Sequence, residues 1–126
     1  MLILTALLLV AANTNGSIYF APDSSTAQWE VEEITLTPNA DSATSGTNYV
    51  GITAYKGSGT STALTSARST ASTSLTAPTS EKLALTATGD NLVVTQANPL
   101  QIAVAKTGTG VAVNCQVTVR FRIKRV

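Results

Sequence analysis

The sequence predicts an all-β domain, and three observations support that prediction. Its 126 residues contain a series of short segments in which polar and apolar residues alternate, with turn signals every eight to twelve residues. Only 12% of the residues are charged, where about a quarter is typical of a globular domain, while 44% are hydrophobic. No segment has convincing helical spacing. We therefore expect one domain of about seven to nine strands, folded as an antiparallel sandwich, a jelly roll or a small barrel.

The last strand is the clearest element, because residues 115–124 alternate without a break. Successive side chains of a strand point to opposite faces of the sheet, so one face is apolar and the other is polar and cationic. The apolar face comprises Cys115, Val117, Val119, Phe121 and Ile123, and the polar face comprises Gln116, Thr118, Arg120, Arg122 and Lys124. The net charge is +1, yet residues 120–126 alone carry four cations and no acid.

The first twelve residues are almost entirely apolar. They are similar to the apolar core of a signal peptide, but they lack the positive residues that normally precede one. They are also too short to span a bilayer. We predict a buried strand, or an arm that runs onto a neighbouring surface, and keep a secretory signal as the alternative.

A turn signal follows this apolar segment, because Asn15-Gly16 is the dipeptide that most strongly favours a two-residue hairpin. Residues about 3–11 and 17–21 are therefore expected to pair as a hairpin. We accordingly predict an N-terminal arm or hairpin over residues 1–21 and a jelly-roll domain over residues 22–126.

The middle of the chain contains further predicted strands, in which polar and apolar residues alternate less regularly than in the last strand. The alternation slips at Glu32-Glu33, which predicts a β-bulge there. Residues 57–80 are almost all small and polar, and we expect one thin strand and a long loop there, with a single helical turn as the alternative. Besides the first and last segments, strands are expected at residues 28–37, 48–56, 62–69, 82–88, 92–96 and 100–106.

The residue types needed for common catalytic and metal sites are scarce. There is no histidine, which excludes Ser-His-Asp and Cys-His arrangements of the familiar kind. With one cysteine, ordinary zinc and copper sites are excluded as well, and Cys115 is predicted to be a buried small hydrophobe. Glu30 and Glu32 would share one strand face, where solvation is a simpler role than glycoside hydrolysis. We predict neither an enzyme nor a cofactor or metal site.

Two sets of residues remain as binding candidates. Trp29, Tyr49 and Tyr55 could line a sugar-binding platform, although core or subunit-interface packing is the favoured interpretation. The cationic row Arg120, Arg122, Lys124 and Arg125 could meet an acidic partner, or could be a solvated edge whose charges prevent aberrant pairing. This basic patch is too small for a general nucleic-acid binder, so no nucleic-acid partner is predicted.

The pattern of strands and turns also resembles a known group of proteins. Residues 83–126 comprise a strand, a Gly-Asp turn, a strand ended by proline, an alternating strand, a Gly-Thr-Gly turn and a long last strand. This order, together with residues 29–38 and 49–57, is similar to the jelly-roll capsid decoration, or cement, proteins of tailed bacteriophages. The resemblance implies a single-domain antiparallel sandwich of jelly-roll type, forming a homotrimer on the capsid surface. It also implies that the chain binds the major capsid protein and stabilises the head.

The function expected from this resemblance is that of a non-catalytic virion structural protein, with neither a membrane nor a nucleic acid as partner. The alternative is a receptor- or glycan-binding tip domain of a phage fibre, or a secreted lectin-like adhesin. The predicted contacts with the capsid or another partner are Leu2, Ile3, Leu4, Leu7, Leu8, Arg120, Arg122, Lys124 and Arg125. The predicted subunit-interface or glycan contacts are Trp29, Tyr49 and Tyr55.

Overall fold

The computed structural model describes the whole chain, Met1–Val126, and its regular structure is almost entirely β. A short 3-10 helix, Gly89–Leu92, lies where the sequence predicts a turn. Nine strands form two antiparallel sheets, which confirms the predicted all-β sandwich. The strands are β1 (Leu2–Val10), β2 (Gly16–Phe20), β3 (Gln28–Pro38), β4 (Tyr49–Lys56), β5 (Arg68–Ser69), β6 (Glu81–Leu83), β7 (Val93–Val94), β8 (Leu100–Thr107) and β9 (Val113–Arg125).

The strand order is that of a jelly roll. One sheet has the order β1-β9-β3-β6, with β7 also pairing with β3, and we call it the β1 sheet. The other, the β2 sheet, has the order β2-β8-β4-β5. Since β6 and β7 pair with different parts of β3, they act as one interrupted strand and leave two four-stranded layers. The chain passes repeatedly from one layer to the other, as expected for two Greek keys.

Strands β3 and β9 form the centre of the β1 sheet because both are long and have one apolar face. Val31, Ile34 and Leu36 of β3 are buried beside Val117, Val119 and Phe121 of β9. The register between the two strands shifts between Val31 and Glu33, so the β-bulge predicted from the sequence is confirmed.

The core lies between the sheets and is filled by their inner faces. The β1 sheet contributes Leu8 and Phe121, and the β2 sheet contributes Ile52, Leu100 and Ile102, all fully buried. Twenty-one buried residues form this single apolar cluster, so the sandwich needs no disulfide or metal to hold its layers together.

The predicted N-terminal hairpin is wrong. β1 pairs along its whole length with β9, whereas β2 pairs with β8 in the other sheet. The intervening residues 11–15 cross from one layer to the other. The side chain of Asn15 accepts a hydrogen bond from the backbone N–H of Lys106 at 2.8 Å, which ties this crossing to β8. The apolar N-terminal segment is therefore an edge strand of the sandwich.

Three predicted strands are much shorter than expected, and of residues 92–96 only Val93–Val94 form one. Within residues 62–69, only Arg68–Ser69 form a strand, with isolated bridges at Ala63 and Thr65. Within residues 82–88, pairing with β3 ends at Leu83, because Thr86 and Ala87 instead donate backbone hydrogen bonds to the Leu64 carbonyl. Small polar residues here provide little side-chain burial, so local bridges between loops replace long strand ladders.

Candidate functional site

The outer face of β1 carries three of the five large apolar side chains that are exposed on strands of this chain. Ile3, Leu7 and Leu9 are 55%, 51% and 65% exposed, and we call these three residues the β1 stripe. They share one parity of the strand, and Thr5 lies between them. Covering a half-exposed side chain of this size still contributes roughly 1 kcal/mol, so the stripe is a candidate contact surface for another protein.

The structure divides the five predicted N-terminal contacts into two groups. Ile3 and Leu7 belong to the β1 stripe, whereas Leu2, Leu4 and Leu8 point towards the core. Leu8 is fully buried, so the prediction that it contacts a partner is wrong for this fold. Leu9 was missed by the sequence analysis, although its parity is that of Ile3 and Leu7.

The face beside the β1 stripe is uncharged for about half of its length. Leu7 and Leu9 lie opposite Gln116 and Asn114 of β9, and Thr5 lies opposite Thr118. The Thr5 and Thr118 hydroxyls are 3.1 Å apart. A partner that covers the part of this face from Thr5 to Leu9 would therefore displace water from neutral side chains, without desolvating a charge; only Ile3 lies opposite a cation, Arg120.

The cationic row at the end of β9 faces acids of the neighbouring strand β3. The Arg122 Nη2 atom lies 2.8 Å from Glu30 Oε1, and the Lys124 Nζ atom lies 3.7 Å from Glu30 Oε2. Arg120 Nε lies 3.8 Å from Glu32 Oε1, and Arg120 Nη2 lies 3.7 Å from Glu33 Oε2.

These contacts form a surface ion-pair cluster, which leaves Arg125 as the member of the row without an ion pair. The three paired cations are thus largely neutralised within the chain. Binding of Arg120, Arg122, Lys124 and Arg125 to an acidic partner stays a prediction.

Glu33 is held ionised by this cluster. Lys82 Nζ lies 3.1 Å from its carboxylate and lowers the pKa of Glu33, through a hydrogen bond and through its charge. Partial desolvation opposes this shift, and the charge of Arg120 adds a smaller lowering of the pKa. Since Glu33 lies at the surface, the cluster organises charge without adding much stability.

The three aromatic candidates do not form one platform. The ring of Trp29 packs against Phe121, with ring centroids 5.3 Å apart, on the inner side of the β1 sheet. Tyr49 and Tyr55 lie on β4, in the other sheet, with a parity opposite to that of its buried core residues. The sequence analysis missed Tyr19, which is half exposed and donates a hydrogen bond of 3.4 Å to Gln101.

Other chemistry-bearing features are sparse in this chain. No group of three or more His, Cys, Asp or Glu side chains is placed to hold a metal ion. None of the helical structure is long and apolar enough to span a membrane. A depression of about 350 Å³ on the β2 sheet is lined by Ser17, Thr60, Gln101 and their neighbours. Both polar atoms of the Gln101 side-chain amide are already engaged, because its nitrogen donates to the Gly57 and Gly59 carbonyls and its oxygen accepts from Tyr19.

The single thiol is fully buried at Cys115. Burial away from water raises its pKa to about 11, and the charge of Glu81 acts in the same direction. Because only the thiolate reacts readily, this cysteine is structural rather than nucleophilic.

We predict that Cys115 resists thiol reagents in the folded protein. At pH 8 the raised pKa lowers the thiolate fraction about a hundredfold relative to a thiol of ordinary pKa near 9, and burial blocks access in addition. Labelling with 5,5′-dithiobis(2-nitrobenzoate) should be complete within minutes in urea and slower by at least about a hundredfold in buffer. A Ser17→Cys variant, whose new thiol is exposed, provides the reactive control; equal rates at both sites would contradict the burial of Cys115.

Comparisons with known proteins give little further information. No protein-family model matches the sequence, and no curated protein matches it. Among solved structures, the chain is similar to one titled "Structure of infectious bursal disease virus Gx strain", with 12% sequence identity and a TM-score of 0.28. The match covers 93% of this chain but only 32% of that chain.

Proposed function

We propose that this chain is a virion structural protein that decorates a capsid and stabilises it by binding the major capsid protein, without catalysing a reaction. The observation that carries the proposal is the β1 stripe, where Ile3, Leu7 and Leu9 are all more than half exposed on a regular sheet face. A β-sandwich with so few charged residues suits a role in which other proteins cover much of its surface on assembly. The jelly-roll strand order and the resemblance to phage decoration proteins support the same role.

The contact is proposed to begin at the stripe and to extend across the neutral part of the β1 sheet. Gln116 and Thr118 of β9 lie directly beside the stripe and offer hydrogen bonds to a partner. This combination of an apolar centre and a polar, uncharged border is typical of protein–protein interfaces. The ion-pair cluster lies beyond it, where Arg125 remains available for an acidic group on the partner.

The test is cosedimentation of the purified protein with capsid shells from the virus whose genome carries this sequence. The wild-type protein should bind, and a Leu7→Ser, Leu9→Ser variant should lose at least about tenfold in affinity, because two central apolar contacts are removed. Tyr19→Ser is the matched control, since Tyr19 is equally exposed but lies on the other sheet. Failure of the wild-type protein to bind, or unchanged binding by the double variant, would contradict the proposal.

Glycan binding is the second candidate, and one observation bears on it. Tyr19 and Tyr55 flank Gln101 in one row across the β2 sheet, which offers aromatic faces to a sugar ring. However, the Gln101 amide already forms hydrogen bonds with Tyr19 and with the loop around Gly57, so few free polar groups remain for sugar hydroxyls. A glycan array probed with the wild-type protein and with Tyr19→Ala separates this candidate from capsid binding.

A further inference from the structure

The free edge of β1 differs from every other sheet edge in the molecule. β1 is nine residues long and contains no charged residue, proline or glycine. The other edge strands are short: β5 and β6 have two and three residues and carry Arg68, Glu81 and Lys82, β7 has two residues, and β2 has five residues, including Gly16. Proteins normally protect their edges with short strands, charges or proline. β1 has none of these protections and pairs on one side only, with β9.

We propose that two copies of this chain pair antiparallel through their β1 strands, about a twofold axis at Ala6. The pairing would join the two β1 sheets into one continuous sheet of eight principal strands, which lies within the usual range for a sheet. Every backbone group that β1 presents at its free edge would then find a partner.

The sequence of β1 is complementary to itself in this register. Ala6 would face Ala6 of the second copy, and the facing pairs on either side would be Leu4 with Leu8 and Leu2 with Val10, all apolar. These residues point to the inner face, where Leu2 and Leu4 are still partly exposed, so a second copy would complete their burial. On the outer face, Ile3 would lie opposite Leu9, and Thr5 opposite Leu7. Apolar cross-strand pairs of this kind stabilise a sheet by roughly 0.2–1 kcal/mol each.

Electrostatics also favour a second copy as the occupant. A partner strand that carried charges would have to leave them beside apolar side chains, whereas β1 itself brings none. The nearest cation on the outer face is Arg120, which lies opposite Ile3 in β9 and is paired with Glu32 and Glu33. In the proposed register the two copies of Arg120 would be about 25 Å apart, several Debye lengths at physiological salt.

The pairing uses the backbone edge of β1 and leaves its outer face open. The β1 stripes of the two copies would therefore become one band of six apolar side chains, which enlarges the surface proposed to bind the capsid. The inference does not depend on capsid binding, because it concerns the purified chain alone.

The first test is the native mass measured by sedimentation equilibrium. The wild-type chain should have a mass of about 26 kDa, twice the 13.0 kDa of one copy. Thr5→Lys should shift the mass towards about 13 kDa, because each introduced ammonium group would lie beside the apolar Leu7 of the other copy, and the two substituted positions would be only about 7–8 Å apart diagonally across the axis. Ser17→Lys is the matched control, as Ser17 is an exposed, outward-facing residue of the other sheet's edge strand, and it should leave the dimer intact.

The second test reads the register directly, through a disulfide between copies. A chain carrying both Ile3→Cys and Leu9→Cys should form a covalent dimer under mild oxidation, because positions 3 and 9 of different copies would face each other. Within one copy the two positions are about 20 Å apart, so they cannot join to each other. Ile3→Cys alone should not cross-link, and the buried Cys115 does not interfere.

Four outcomes would overturn the inference. A wild-type mass of 13 kDa would show that the edge stays unpaired, and about 39 kDa would favour the homotrimer that the family resemblance implies. A 26 kDa dimer that survives Thr5→Lys, or that fails to cross-link between positions 3 and 9, would place the dimer contact elsewhere. Far-UV circular dichroism of each variant shows whether it is folded, and the cross-linking pattern remains decisive if Thr5→Lys does not fold.

Discussion

Deletion of residues 1–12 should abolish the folded sandwich. The deletion removes β1, whose Leu8 is fully buried and whose Val10 is nearly so, and it uncovers the flank of β9. Losing one buried leucine side chain typically costs 2–5 kcal/mol, and a domain of this size is stable by roughly 5–15 kcal/mol. When urea unfolding is monitored by Trp29 fluorescence, the deleted chain should show no cooperative transition. Its amide NMR spectrum should also lose the chemical-shift dispersion of a folded protein.

The matched control keeps β1 and changes only its outer face. A variant with Ile3→Ser and Leu9→Ser retains the pairing with β9 and the inward-facing leucines, so its free energy of unfolding should fall by about 2 kcal/mol or less. If the deleted chain instead unfolds cooperatively with a midpoint close to that of the full chain, residues 1–12 are a detachable arm and the described role of β1 is incorrect.

The difference between an arm and an edge strand could not be predicted from residues 2–10 themselves. Both parities of this segment are apolar, with Thr5 the one polar residue, so the alternation that marks β9 is hidden in β1. Its inner and outer faces are decided by what they contact. Leu8 meets the core because β1 pairs with residues 113–121 of β9, whose one apolar face already lies on the core.

The Asn15-Gly16 signal illustrates a second limit of sequence reasoning. It correctly indicates a change of direction, but a turn dipeptide carries no information about which strand will be the partner. Asn13 adopts a positive φ of 63°, and its N–H donates to the Thr109 carbonyl, so the crossing is held by the β8–β9 turn. That turn, by contrast, was predicted from its Gly-Thr-Gly sequence, because Gly108 and Gly110 supply the positive φ values it needs.

The ion-pair cluster combines a predictable and an unpredictable part. The β-bulge at Glu32-Glu33 was visible as a slip of the alternation. The ion pairs that Glu32 and Glu33 form with Arg120 could not be predicted in the same way. They depend on the register of β3 against β9, which brings both carboxylates to one guanidinium. The sequence of β9 alone therefore left two interpretations of the cationic row, contact with an acidic partner or a solvated edge, and gave no sign of the ion pairs with β3.

Arg68 provides the second large expected effect, because its side chain joins the two layers of the sandwich. It lies on β5 of the β2 sheet and forms a bidentate ion pair with Glu81 on β6 of the β1 sheet. The same guanidinium donates to the carbonyls of Thr73 at 2.8 Å and Ser74 at 3.0 Å, which holds the loop between the two strands. The Arg68 side chain is only 16% exposed, so water cannot easily replace these contacts.

Substitution of Arg68 by methionine should lower the free energy of unfolding by about 3 kcal/mol, since it leaves the carboxylate of Glu81 and two loop carbonyls without their donor. Arg122→Met is the matched control, because Arg122 also pairs with a glutamate, Glu30, but is 58% exposed; its loss should cost less than about 1 kcal/mol. Urea unfolding measures the free energy of unfolding of both variants and of the wild-type protein. The loss expected for Arg68→Met corresponds to a thermal midpoint roughly 10 °C below that of the wild-type protein. Equal, small effects in the two variants would mean that the Arg68–Glu81 pair is a surface contact and that apolar packing alone joins the layers at this edge.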